Sequence, residues 1–412
     1  MQQAKRWQRW LFLGSLMLAG EAIYMLPYMR KTFQTSMEEV FNVSSTEIGL
    51  LVSMFGVLAL LCYFPGGWLA DRFSARNLLT FSLVATSLGG FYMATIPSWQ
   101  GLLALYAYWG VTSILTFWAA LIKATRLWGG HDSQGASFGL LDGGRGIADA
   151  LLVSAATFAF ASAGTAHAGL VSVILVYSIA PLVAAAAVWF LIPHDIGDAT
   201  PQTIAADAGA PLRDALGRPE TWLLGFIIMT AYMLYIGSFD FAAFAENAYG
   251  QSKVFGAQLA TFRDWLRPFA ALGAGLLADR IAPTRAIAGA YVLLIAGYGA
   301  MALMPADAGM MAALWVQVAA VAVAVFALRG VYYALMEASG IPAASTGTVV
   351  GVVSVVGYTP DIFGHVLAGL FVDGYGGVAG YHAWFGFLAC VAAAGLAATL
   401  VIHRRLKRTA AP

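Results

Sequence analysis

The chain has 412 residues, 60% of them hydrophobic and only 10% charged, too little polar surface to cover a water-soluble globule of that size. Its 22 Lys and Arg against 21 Asp and Glu leave a net charge of +1, which excludes a global basic surface for nucleic acid. Two cysteines, Cys62 and Cys390, both in apolar stretches, exclude a disulfide framework. His131, His167, His194, His365, His382 and His403 lack metal-ligand spacing, and neither a nucleophile motif nor an ATP-binding phosphate loop is present. An enzyme is therefore not expected, nor a cofactor or metal.

Lipid must be the solvent. A bilayer core of ~30 Å needs roughly 20 apolar residues per helix, and this ruler places spans at 9–41, 46–70, 77–97, 100–127, 135–162, 168–193, 220–247, 254–279, 285–304, 308–336, 345–372 and 378–402. Nothing alternates as outer-membrane strands do, and open strands cannot satisfy their backbone in lipid, so the fold class is all-α. The basic cluster Lys5-Arg6-Trp7-Gln8-Arg9 precedes an apolar run, and with so many spans after it that run is a retained first helix, not a cleaved signal peptide. Lys5, Arg6, Arg9, Arg72, Arg76, Arg126, Arg213, Arg218, Arg280, Arg285, Arg404, Arg405, Lys407 and Arg408 fall on one side of these spans, with Lys253 opposite. The positive-inside rule then puts both termini in the cytoplasm of a multi-pass inner-membrane protein, consistent with an even number of spans.

Span one carries Glu21, Tyr24, Pro27, Tyr28, Arg30 and Lys31. Ser44-Ser45-Thr46-Glu47 has capping-box form and starts span two, so span one can run to Phe41 and hold Arg30 about 16 Å from that end at 1.5 Å per residue. A guanidinium there waits for an anion, and Glu21 is its counter-charge or a proton site. The alternative ends span one early, with Arg30 as an outer anchor. Span two closes on Gly67-Trp-Leu-Ala-Asp71-Arg72, with Arg76 following. Span five carries Asp142, Gly143, Gly144 and Arg145, with Asp149 beyond; Asp142 and Arg145 are spaced to neutralise each other.

The polar stretch 194–219 reads as a linker between an N-terminal bundle, 1–193, and a C-terminal bundle, 220–412. Span seven carries Tyr232, Tyr235, Asp240 and Glu246. Span eight carries Arg263, Asp264 and Arg267 ahead of Pro268, the two arginines on one stripe, and closes on Gly275-Leu-Leu-Ala-Asp279-Arg280. Span ten adds Arg329 and Glu337, and span eleven adds Tyr358, Asp361 and His365. Each in-span charge is either a ligand or coupling group or one arm of a structural ion pair, because buried charge must be compensated. Aromatics, including Trp118, Trp265 and Tyr332, either line a cavity or belong to the core.

Gly67 to Arg72 and Gly275 to Arg280 stand at equivalent places in two halves, which implies duplication and, in transporters, a substrate path between the halves. Gly67, Asp71, Arg72, Arg76, Asp279 and Arg280 form candidate conformational latches. The pair resembles the Gly-x-x-x-Asp-Arg loop signature of the major facilitator superfamily, which implies two pseudo-symmetric six-helix bundles working by alternating access. Ser74-Ala75 and Ile281-Ala282-Pro283-Thr284 depart from the basic pair usual after Asp-Arg. Arg30-Lys31-x-Phe33, Trp128 with Gly135-Ala-Ser-Phe138-Gly139, and Thr346-Gly347-Thr348 with Gly357-Tyr358 are similar to the organophosphate:phosphate antiporters. That resemblance implies an arginine clamp with one guanidinium per half; Arg30 fits the first, and Tyr235 stands where the second would be.

The expected function is secondary transport of a small organic anion, a carboxylate, sulfonate or phosphorylated metabolite, by a monomer in proton symport or anion exchange. Arg30, Tyr24, Tyr28, Arg145, Tyr235, Arg263, Arg267, Arg329 and Tyr358 are the candidate substrate contacts. Glu21, Asp142, Asp240 and Asp361 are candidates for proton coupling or charge pairing. Two alternatives stay open: proton-driven export of hydrophobic compounds, and a transporter-fold receptor that senses an anion.

Overall fold

A computed structural model describes residues 6–129, 134–193, 216–332, 335 and 346–409. Within these every regular element is helical: α1 (Arg6–Met25), α2 (Arg30–Phe41), α3 (Ser45–Arg72), α4 (Ala75–Met93), α5 (Trp99–Ser113), α6 (Ala119–Gly129), α7 (Gln134–Ala161), α8 (Ala166–Leu191), α9 (Pro219–Gly237), α10 (Phe241–Tyr249), α11 (Lys253–Ile281), α12 (Pro283–Leu303), α13 (Met311–Val331), α14 (Thr346–Gly357), α15 (Pro360–Tyr375) and α16 (Gly377–Thr409). Ten stretches among the described residues are long and apolar enough to cross a membrane. The 19-residue α4 and the 29-residue α11, whose polar and charged side chains lower their apolar content, complete the twelve rods. The expected linker lies mostly outside the described residues, as do Lys5, His131, His194, Arg213 and Glu337.

Local chemistry explains the breaks. The first span runs to Phe41 as expected, but Pro27 has no N–H to continue the helix, so the chain turns through 26–29 and Arg30 opens α2. Phe33, at φ −124° and ψ 29°, kinks α2 again. α3 begins on the expected capping box: Ser44 Oγ accepts from the Glu47 N–H at 3.2 Å, and Glu47 Oε2 accepts from the Ser44 N–H at 2.8 Å. Ser44→Ala is expected to cost about 1 kcal/mol, read as a lowered melting temperature of the purified protein. A π turn, Ile114–Trp118, joins α5 to α6. Gly66 of α3 lies against it, where a Cβ would meet the Ile114 and Leu115 carbonyl oxygens at 3.1 and 3.0 Å, so backbone packs on backbone.

The described chain divides into two compact units. The first comprises Met1–Pro201 with Lys253–Trp265, the leading part of α11. Its core lies where α1 packs on α7 and α8, α3 on α5, and α4 on α8, and is filled by residues such as Leu13, Leu16, Phe117, Trp109 and Tyr177. The second comprises Gln202–Ser252 with Leu266–Pro412. There α12 packs on α13 and α16, while α9 packs on α14 and α16.

Candidate functional site

In the first unit, α2, α7 and α11 bring four charges into one buried cluster. Lys31 Nζ pairs with Asp149 and stands 3.3 Å from Asp264 Oδ2. Arg263 closes on Asp264 Oδ1 through Nε at 2.9 Å and Nη2 at 2.8 Å, and its Nη1 donates to the Lys31 carbonyl at 3.5 Å. Lys31, Asp149, Arg263 and Asp264 are respectively 4%, 1%, 0% and 2% exposed. Two cations and two anions sum to zero, which is the condition for keeping them out of water. Thr261 to Thr157 at 2.9 Å and Trp265 Nε1 to Ser154 Oγ at 3.0 Å also hold α11 on α7. Lys31 and Asp149 are not among the contacts that sequence reasoning singles out; opposite in-span charges of equal number are the signal that points to them.

Arg30, also buried, donates to Gln34 Oε1 from Nε at 3.0 Å and from Nη2 at 2.6 Å. Gln34 Nε2 passes the chain on to Glu38 Oε1 and Ser45 Oγ, both at 3.0 Å. Arg145 donates to the Gly20 carbonyl at 2.9 Å, lies 3.3 Å from Glu21 Oε2 and 3.8 Å from Asp142 Oδ1, and faces Tyr24 and Trp118. Gly20 gives Arg145 this close approach: a Cβ there would stand 3.0 Å from the Arg145 Cδ. Tyr24 and Tyr28 meet edge to face, with Tyr28 on Phe55.

In the second unit, Arg329 in the last turn of α13 lies over the Tyr235 ring at 3.8 Å and within 5.5 Å of the Tyr232 ring. Its Nη1 is buried and has no hydrogen-bond partner among the described residues. Buried Arg267 places a second positive charge within electrostatic reach. Gly330 explains the proximity: it leaves the space a Cβ would use 3.3 Å from the Ala271 Cα, so α13 can pass α11 one turn beyond Arg267. Around the guanidinium, Tyr232 packs on Tyr235 and, edge to face, on Tyr358 at 4.9 Å. The Tyr332 and Tyr358 hydroxyls are 3.3 Å apart. Tyr232 Oη donates to Asp361 Oδ2 at 2.9 Å and Oδ1 at 3.0 Å, and His365 Nε2 stands 3.8 Å from Asp361 Oδ1. Asp240 sits apart from this group, accepting from Trp384 Nε1 at 2.9 Å.

The latch candidates are placed in part. Arg72 lies over Trp68 at 3.8 Å and Arg76 over Trp189 at 4.5 Å, and Lys123 Nζ caps the Ala70 carbonyl near the end of α3 at 2.6 Å. Gly67 has open space where a Cβ would stand, and Arg280 is exposed in the last turn of α11. The side chains of Asp71 and Asp279 lie outside the described set.

Among the described residues the chain is a set of membrane-length helices with charged clusters buried inside its units. The sequence profile of the Major Facilitator Superfamily matches residues 10–364, and the chain belongs to that family. It is a multi-pass membrane transporter rather than an enzyme. Two Escherichia coli (strain K12) relatives are 27% identical: inner membrane protein YihN over 97% of both chains, and inner membrane protein YqcE over 90% of this chain and 89% of its own. Among solved structures, a bacterial homologue of the human lysosomal transporter Spinster, inward-facing and unoccupied, superposes with a TM-score of 0.78 at 16% identity over 98% of this chain and 99% of its own. The nucleoside transporter NupG gives 0.72 at 12% identity over 95% of this chain and 99% of its own.

Proposed function

We propose that this transporter moves a small organic anion, a carboxylate, sulfonate or phosphorylated metabolite, by alternating access of its halves 1–193 and 220–412, as proton symport or anion exchange. We place it as a monomer in the inner membrane, where its E. coli relatives are named, with both termini cytoplasmic in keeping with the distribution of Lys and Arg.

One observation supports the anion above the others: a buried guanidinium, Arg329, with Nη1 lacking a hydrogen bond among the described residues. Such a donor is costly unless something fills it, and a bidentate oxyanion fills it best. Arg263 is a weaker candidate because Asp264 already compensates its charge. Tyr235 occupies the position at which the organophosphate:phosphate carriers, by resemblance, place their second arginine. Arg329 covers that ring from α13, so positive charge is available at the same place by another route.

The test is thermal-shift measurement on detergent-purified protein with glycerol 3-phosphate, gluconate and methanesulfonate. At a hundredfold excess over Kd a ligand selective for the folded state adds about 2.7 kcal/mol. At least one of these anions is expected to raise the melting temperature, and Arg329→Gln to remove that rise at the same concentration. A rise with neutral or cationic hydrophobic compounds alone would overturn the anion reading in favour of an exporter.

A further inference from the structure

The Arg329 aromatic group continues into a second, chemically different group on the other side of one tyrosine. Tyr232 turns its ring toward the guanidinium and its hydroxyl toward both oxygens of Asp361. Asp361 opens α15, just after Pro360, where the backbone leaves its helical ladder at Tyr358–Thr359. His365, one turn along the same helix, is fully buried, stacks on Phe239 at 5.8 Å and presents Nε2 to the carboxylate. A carboxylate and an imidazole beside each other inside a membrane span form a group able to take up a proton without bringing in another ion.

Three other carboxylates expected in the coupling role are already engaged. Glu21 faces Arg145, Asp142 is largely exposed beside the same arginine, and Asp240 accepts from Trp384. Asp361 differs in facing a neutral hydroxyl and a histidine at close range. Among the described residues, the charged and titratable groups on its side are Tyr232 and Tyr235 from α9, Tyr358 from the break before α15 with Tyr332 beside it, His365 from α15 itself, and Arg329 from α13 across the Tyr232 ring, with Arg267 of α11 within reach of Arg329; Asp240 sits apart on Trp384 of α16.

We infer that Asp361 and His365 form the proton-binding site of this transporter, linked through Tyr232 to anion binding at Arg329, which makes the protein an anion–proton symporter. The inference rests on the anion reading above. When an anion settles on Arg329 it brings negative charge beside Asp361, and a proton from solvent, bound on a carboxylate oxygen and shared with His365, restores the balance. By reciprocity, a bound proton strengthens anion binding. Tyr232 acts as the positioning residue, fixing the carboxylate against the ring on which the guanidinium leans.

The test adds the anion that gives the largest thermal shift among glycerol 3-phosphate, gluconate and methanesulfonate to lightly buffered, detergent-purified protein, and follows a pH indicator. Uptake of about one proton per bound anion is expected, with anion affinity falling by up to about tenfold per unit rise in pH. In Asp361→Asn, anion affinity should become independent of pH and the proton uptake should vanish. Tyr232→Phe, which keeps the ring but removes the hydroxyl bond, should reduce the uptake. Anion binding without proton uptake, or uptake unchanged in Asp361→Asn, overturns the coupling while sparing the anion site. If no anion of the three binds, both readings fall together.

Discussion

Asp264→Asn is expected to destabilise the folded protein by about 3–5 kcal/mol. The substitution keeps volume and removes one charge, so Arg263 and Lys31 both lose the Asp264 carboxylate and the cluster is left with net positive charge, all in a region almost wholly closed to water. Stranded positive charge, not lost attraction, sets the magnitude. The paired substitution Lys31→Met with Asp149→Leu removes one cation and one anion together and leaves Arg263 with Asp264, so it should cost far less than either single change. Melting temperatures of the purified variants decide the matter. If Asp264→Asn melts with the wild type, the cluster does not compensate charge as described.

Arg329→Lys is expected to lower anion transport by roughly 100-fold or more although the charge is kept. A guanidinium lies against the Tyr235 ring and still offers parallel donors, whereas an ammonium is a compact, strongly hydrated point. The lost stacking is worth about 1 kcal/mol, and a lost charge-assisted bond about 1.5–3 kcal/mol. Together they amount to two to three powers of ten in affinity. Uptake into proteoliposomes loaded with buffer alone, for the anion that stabilises the wild type, is the measurement. Lysine transporting as well as arginine would show that simple charge suffices and that the planar fork has no part.

Much of the helical plan can be read from residue order because it depends on local rules. Apolar length sets the spans to within a few residues, and the capping box at Ser44 and Glu47 marks a helix start because its partners are near neighbours in the chain. The break at 26–29 is less legible: Pro27 is visible, but the capping box that opens the next helix at Ser44 lets span one run on to Phe41. Charge pairing is legible within one helix, as for Asp142 and Arg145 three positions apart, but not between helices. Arg263 and Asp264 are sequence neighbours, yet what makes them a structural cluster is Lys31, 232 positions from Arg263, and Asp149 on a third helix. Arg30 stands out through its expected depth, but its nearest partner is Gln34, a neutral amide one turn along. Arg329 is one charge among several in the sequence, and only the stacking of α9, α13 and the start of α15 gives it tyrosines on its faces. Gly330, which admits α11 beside it, carries no chemical signature to raise it above the other glycines.

The helix α11 runs unbroken from Lys253 to Ile281, yet its stretch Lys253–Trp265 clusters with one unit and the rest with the other. Arg263 and Arg267, four positions apart on a single stripe, therefore belong to different assemblies: the first is locked in a neutral quartet, the second adds positive potential next to a guanidinium with a donor to spare. On the proposed anion reading, a repeat of identical residues at helical spacing then divides two duties, one arginine an internal fastener and its neighbour a tuner of cargo. Damage to the fastener should register in folding whatever is carried, whereas a change at the tuner should alter what is carried before it alters folding.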